Sequence, residues 1–215
     1  GYMVRGLDVR YREDTGELQS FRQRRRALQA DVFGQYNRSL GNGRVDLHLG
    51  LRAHGFSEGR YGRLSPRVHA KLWPGAPLSV TAGYTRNHQF LHRLTADRRP
   101  GIDVWVMSTG ARPPATSDQG TLGFRVRPGL GWTMQVEGYL KQQRHVRLHE
   151  ALAPRVRPSP RTVPWITGTV TARGVGMLHR LDGDGWRWTT SYTLSGSDIA
   201  LADASAESSQ PAPWD

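Results

Sequence analysis

The chain has 215 residues, 37% of them hydrophobic, with a formal net charge of +12 and no cysteine. That hydrophobic share lies below the roughly 45–50% of an average soluble domain and under-supplies a thick double-sided core. No apolar run approaches the about 18 residues of a membrane-spanning helix, and without thiols neither a disulfide framework nor a thiolate metal site can form. A membrane β-barrel stays open, because its strands need an apolar residue only at every second position. The charge suits an anionic partner (nucleic acid, anionic lipid or an acidic solute) without naming it. Gly1 is no natural start, no basic-then-apolar signal segment precedes the first strand, and the final SSQPAPWD runs out in a loop-like segment. These features read as a piece of a longer protein.

In chain order, Tyr2 to Tyr11 reads as a first strand with Met3, Leu7, Val9 and Tyr11 on one face, Asp8 and Arg10 on the other, and Arg5 as a blemish on the apolar side. A polar connection, Arg12 to Arg26, contains FRQRRR. The second strand, Ala27 to Asn37, opposes Leu28, Ala30, Val32 and Tyr36 to Gln29, Asp31, Gln35 and Asn37. Gly41-Asn42-Gly43 makes a tight turn, since Gly and Asn accept positive φ. The third strand is the clearest: Val45, Leu47, Leu49, Leu51 and Ala53 alternate with Arg44, Asp46, His48, Arg52 and His54. A loop containing Phe56 to Leu64 leads to the fourth, where Val68, Ala70 and Leu72 oppose Arg67, His69 and Lys71.

Pro74-Gly75-Ala76 turns into a fifth strand with Leu78, Val80, Ala82 and Tyr84 on one face. Arg86 to Asp118 is a long polar excursion, after which Leu122, Phe124 and Val126 mark the sixth strand. A second tight turn, Pro128 to Gly131, leads to the seventh, where Trp132, Met134, Val136 and Leu140 oppose Thr133, Gln135, Glu137 and Lys141. After a Pro- and Arg-rich loop, Gln142 to Pro164, the eighth strand changes parity between Val170/Ala172 and Val175/Met177, which predicts a bulge near Arg173 or Gly174. The turn Asp182 to Gly185 precedes a ninth strand with Trp186, Trp188, Tyr192 and Leu194 on one face.

Connections therefore alternate between long and short, as in an outer-membrane barrel with tight turns on one side and long external loops on the other. Aromatic residues fit two interfacial girdles: Tyr36, Trp73, Trp132 and Trp186 beside the short turns, and Tyr11, Tyr84 and Tyr192 beside the long loops. The fold class expected is all-β: an antiparallel up-and-down transmembrane barrel, partial, with about nine strands of a larger one. On the wet face Arg44, Arg52, Arg67, Lys71, Arg125 and Arg127 outnumber Asp31, Asp46 and Glu137. They are expected to face the lumen, pairing with a plug or drawing in an anionic solute.

Other constellations carry less. His88 and His92 form HxxxH, but on an extended segment they stand about 13 Å apart, too far to share an ion. Asp182-Gly183-Asp184-Gly185 opens like a calcium loop without the closing Glu. No G-x-S-x-G elbow sets up a nucleophile. No catalytic residue, metal or cofactor is expected. The Arg22 to Arg26 cluster has only Phe21 as a stacking aromatic, so contact with lipopolysaccharide or solvent fits better than nucleic acid.

The runs GLR at Gly50, Pro66-Arg67, AGYTRNHQFLHRL from Ala82, the Trp105 segment, Pro113 followed by Ser117-Asp118-Gln119 and Leu122-Gly123, EGYLK from Glu137, TSYTLSGS from Thr190 and the terminal PAPWD together resemble the barrel of TonB-dependent outer-membrane receptors. The chain departs from the family at Gly176, where an acidic residue is frequent. The resemblance implies a plugged barrel of about 22 strands in the outer membrane of a Gram-negative bacterium, of which this chain is a late-barrel fragment of one domain (residues 1–215), without plug or signal peptide. It implies energised uptake of a scarce ligand (metal chelate, cofactor or glycan), with the TonB energising complex reached through the absent plug, and contact with membrane lipid and lipopolysaccharide. A passive porin is the alternative, and a soluble basic β protein binding nucleic acid a further one. The external loop after the fifth strand is the expected ligand-binding element, through Arg86, His88, Phe90, His92 and Trp105, with donors and aromatic groups mixed on one excursion.

Overall fold

A computed structural model describes residues 1–15, 19–75, 77–95, 103–149, 165–201 and 209–211. The chain is all-β. Its main sheet follows sequence order except for one inserted hairpin: β1 (Tyr2–Thr15), β2 (Gln19–Leu40), β3 (Val45–Phe56), β4 (Tyr61–Gly75), β5 (Leu78–Gln89), β8 (Ala115–Gly129), β9 (Trp132–His149), β10 (Trp165–Gly183), β11 (Trp186–Leu201) and the short β12 (Ser209–Pro211). Every neighbour pair is antiparallel. Between β5 and β8, β6 (Leu91–Thr95) and β7 (Asp103–Met107) form a separate two-stranded sheet. Among the described residues the sheet does not close on itself.

The register lines the alternating residues up into two faces. Tyr36, Leu49, Val68 and Tyr84 occupy one continuous cross-strand row, as do Phe124, Val136, Met177 and Tyr192; all eight are exposed. Large apolar groups standing in the open along a whole sheet face suit lipid as the neighbour rather than water. Near the short turns this face carries an aromatic belt, in which the His179 ring meets Trp132 and Trp188 edge-on at 5.3 and 5.2 Å. The opposite face is polar. There Ser39 Oγ donates to Asp46 Oδ1 at 2.6 Å, His48 Nδ1 meets Asn37 Oδ1 at 2.8 Å, and Arg125 donates twice to Gln135 Oε1 at 3.0 and 2.6 Å.

The predicted tight turns at Gly41 to Gly43, Pro128 to Gly131 and Asp182 to Gly185 are present, while Ala76 of the Pro74 to Ala76 turn lies outside the described residues. Gly41, Asn42 and Gly43 have φ of 61°, 55° and 82°, and Gly129, Leu130 and Gly131 have φ of 116°, 51° and 75°. Several boundaries move. The Phe56 to Leu64 loop shrinks to a turn between Phe56 and Tyr61, with Arg60 N donating to Ser57 O at 3.2 Å. The polar stretch Arg12 to Arg26 is mostly strand, because cross-strand ion pairs support it: Arg24 and Arg26 both reach Asp8 Oδ2 at 3.2 Å, and Arg25 pairs with Glu58. Strands of 14 and 22 residues exceed the about 9–11 needed to cross a bilayer, so β1 and β2 project beyond the apolar band.

Two facial assignments and one bulge position are corrected. On β1 the exposed apolar pair is Tyr2 and Val4, whereas Leu7 and Val9 pack with Ala27 on the polar side, and Arg5 is at home there, 3.8 Å from Asp31. Both parities of β1 carry apolar residues, so alternation alone could not choose between them. Trp73 leaves the girdle: it shares a face with Lys71, whose Nζ sits 4.5 Å from the Trp73 ring centroid. In β10 the register shift lies between Gly168 and Val170, not at Arg173 or Gly174. Val170 is buried on the polar side along with Ile199, its β11 neighbour, which accounts for the parity change without a bulge at Arg173 or Gly174.

Candidate functional site

The inserted hairpin decides the geometry of the loop-side end. β5 pairs with β4 only as far as Thr85, then continues with β8 to Gln89, which turns the following residues back over the polar face of β3 and β4. Phe90 stacks on Phe56 with centroids 4.8 Å apart and an interplanar angle of 20°, and also meets His54 at 5.8 Å and Tyr61 at 6.4 Å. Ala27, Phe56, Phe90 and Met107 form a buried cluster, flanked by Leu7, Val9, Tyr61 and Leu91. Polar ties complete the attachment: Tyr61 Oη donates to Thr109 O at 2.5 Å, and Arg147 Nη2 donates to Arg112 O and Pro113 O at 3.2 and 3.3 Å.

Beneath Phe90 runs a hydrogen-bonded row across four strands. Asp31 Oδ1 lies 2.5 Å from His54 Nδ1, His54 Nε2 lies 2.8 Å from Ser65 Oγ, and Ser65 Oγ lies 3.1 Å from His88 Nδ1. Asp31, His54 and Ser65 are only 2%, 8% and 9% exposed. Gln29 Nε2 also donates to Asp31, and Arg5 approaches its other side. The order carboxylate, imidazole, hydroxyl is that of an acid–base relay, but here the hydroxyl is shared with a second imidazole and roofed by the hairpin. His88, loop-side of Tyr84, has its pKa lowered to about 4 by burial, reinforced by the neighbouring His54, Arg63 and Arg86.

The predicted ligand contacts divide. Phe90, at the root of the hairpin, and His92, within it, are buried, His92 with its pKa lowered to about 3 by burial and by Arg147. His88 is held in the row. Arg86 is committed to Asp118 at 2.6 Å, whose carboxyl it keeps below the usual range, while Tyr84 Oη donates to the same oxygen at 2.6 Å and Arg144 stands 3.6 Å from the other. Trp105, 46% exposed, is the member left open. Of the six basic residues assigned to the wet face, Arg52 lies over the Phe33 ring at 5.1 Å, Arg125 is bound to Gln135, Arg67 and Lys71 fall on alternating positions of β4, Arg127 is two residues beyond Arg125 on β8, and Arg44 lies in the turn before β3.

Nothing in the sequence singles out Asp31, Ser65 and Tyr61 as a site. Each looks like one more polar position on an amphipathic strand, and only the cross-strand register places them side by side. Metal-ligand clusters of three or more His, Cys, Asp or Glu are absent among the described residues.

No family model matches the chain, and no curated protein matches it in sequence. Among solved structures it is similar to the siderophore receptor PirA from Pseudomonas aeruginosa, with a TM-score of 0.54 and 17% identity, over 84% of this chain and 38% of that one. At this identity the likeness is one of fold: the chain forms part of the wall of an outer-membrane-type β-barrel and spans well under half the length of the protein it matches.

Proposed function

We propose that the chain is a late-barrel segment of an outer-membrane receptor that takes up a scarce ligand (metal chelate, cofactor or glycan) with energy supplied through a plug and the TonB complex, rather than an enzyme. The observation that carries the reading is the hairpin β6–β7, folded from the loop side onto the polar face while the opposite face is apolar and exposed. A large loop element seated on the wet side of a barrel wall supports contact with an entering solute. The basic excess on that face would draw in an anionic one. The same inward fold favours a second reading, a passive porin in which the hairpin narrows the pore.

Transport assays on the intact protein in cells, using labelled ferric chelates, cobalamin and oligosaccharides, separate the two. The receptor reading expects saturable uptake of one of these that stops when the proton-motive force is dissipated. Uptake that survives dissipation points to the porin. Recovery of the protein in the soluble fraction ends both readings. Deleting His92 to Ala111 should abolish uptake while surface assembly persists, and unchanged uptake would reduce the hairpin to a spacer.

A further inference from the structure

We propose that the row Asp31–His54–Ser65–His88 is a proton-operated latch that holds the hairpin β6–β7 shut against the polar face, so that acidification opens the passage. The inference rests on the reading of that face as the lining of a passage and adds its regulation. One arrangement of protons satisfies all three contacts with neutral rings. An ionised Asp31 only accepts, so His54 Nδ1–H donates to it; a neutral His54 then accepts at Nε2 from Ser65 Oγ–H, and Ser65 Oγ accepts from His88 Nδ1–H. Three bonds use three protons, and both rings are neutral.

A proton added at His54 can be accommodated by reversing the middle of the row: Nε2–H donates to Ser65, whose hydroxyl swings to an unprotonated His88 Nδ1. A second added proton cannot. It makes both imidazoles cationic with ring centroids 6.0 Å apart, inside a group that already contains Arg5 beside Asp31 and Arg63 and Arg86 beside His88. Asp31 and Asp118 are the carboxylates facing this group, and each is already engaged by arginine. The repulsion is relieved by moving the His88 strand end and, with it, the adjoining Phe90, whose ring rests on His54 and Phe56. His92, buried in the same hairpin and faced by Arg147, adds a second group that is neutral when the hairpin is shut.

The direction follows from linkage. A histidine whose pKa is lowered in the shut form favours that form above its ordinary value of 6.5, and the advantage is lost as the pH falls from 6.5 toward the value in the shut form, about 4 for His88 and about 3 for His92. The open-to-shut ratio therefore rises about tenfold per pH unit for each histidine released.

These 215 residues contain no cysteine, and any cysteine elsewhere in the intact protein is first replaced by serine. In the intact protein in membrane vesicles, Met107→Cys, 3% exposed, is labelled with a methanethiosulfonate reagent and its rate divided by that of Trp105→Cys on the same hairpin, so that the pH dependence of the thiol itself cancels. Val106→Cys, 7% exposed, replaces Met107→Cys if the latter does not assemble. The ratio should be low at pH 8 and climb at least tenfold per unit below about 6.5. His88→Gln, which keeps a donor for Ser65 but takes no proton, should remove about one power of ten per unit. Phe90→Ala should give a high ratio at every pH. An equal ratio at pH 8 and 4.5, or His88→Gln with the wild-type slope, overturns the latch. Because the readout needs no ligand, a titrating ratio without uptake counts against the receptor reading alone, and uptake with a flat ratio counts against the latch alone.

Discussion

Placing an arginine at Leu49 tests the assignment of the two faces more directly than any other single change. Leu49 stands on the apolar face between Tyr36 of β2 and Val68 of β4, four residues into the 12-residue strand β3. With a rise of about 3.3 Å per residue and a barrel tilt near 40°, each residue advances about 2.5 Å along the membrane normal. Leu49 then lies about 10 Å from Val45 at the turn end and about 18 Å from Phe56, close to the middle of an apolar band about 25 Å tall. A lipid-facing arginine at that depth costs about 2–4 kcal/mol, a factor of roughly 30 to 800 in the folding equilibrium at about 1.4 kcal/mol per decade. Its neighbour His48 points to the polar face, where its Nδ1 meets Asn37 and its ring lies 5.8 Å from that of His69. Arginine there keeps a donor and loses at most one neutral hydrogen bond, about 0.5–1.5 kcal/mol. Reversible denaturant unfolding of the intact protein in lipid vesicles measures both variants. Equal penalties at the two positions would refute the register and the lipid-facing assignment together.

Other consequences are equally open to measurement. Gly131→Ala should impair assembly by about 1–3 kcal/mol, because at φ +75° its new Cβ would stand 2.0 Å from Asp182 O; Gly6→Ala, with nothing within 4 Å of its Cβ, is the control, and matched assembly of the two on a heat-modifiability gel would contradict the tight contact between the turn and β10. Asp31→Asn should cost about 1–3 kcal/mol in thermal unfolding, since it removes the buried anion that faces His54 and Arg5; an unchanged melting temperature would mean the row contributes nothing. The 215-residue chain expressed alone should need detergent, since an unclosed sheet leaves free edges and an apolar face; a monomer unfolding cooperatively in plain buffer would rule out the barrel.

The sheet was legible because the physics of its two environments is written into alternate residues. Where one parity is uniformly apolar, as in Val45, Leu47, Leu49, Leu51 and Ala53, the face follows directly. Where both parities carry apolar groups, as in Tyr2, Met3, Val4 and Leu7 of β1, or Val170 and Val175 of β10, alternation has no answer, and the local hydrophobic cluster decides. Strand ends are obscured for a related reason. Beyond the bilayer a strand is solvated on both faces, so Arg22 to Arg26 look like a loop although cross-strand pairing with β1 extends through them.

The site was hidden more deeply, and the loop after β5 shows why. Its aromatic and basic content suggests a surface that grips ligand, and composition cannot say which of those groups is spent on attaching the loop itself. Phe90 and His92 are spent that way, because the polar face offers an aromatic platform at Phe56 and Tyr61 that a hairpin can cover, and burying Phe90 there gains apolar contact that no solvated loop could match. A loop held down by two buried rings over titratable groups is no longer only a contact surface. Its position depends on whatever sets the charge beneath it, and that links the residues at the mouth to the state of the wall below.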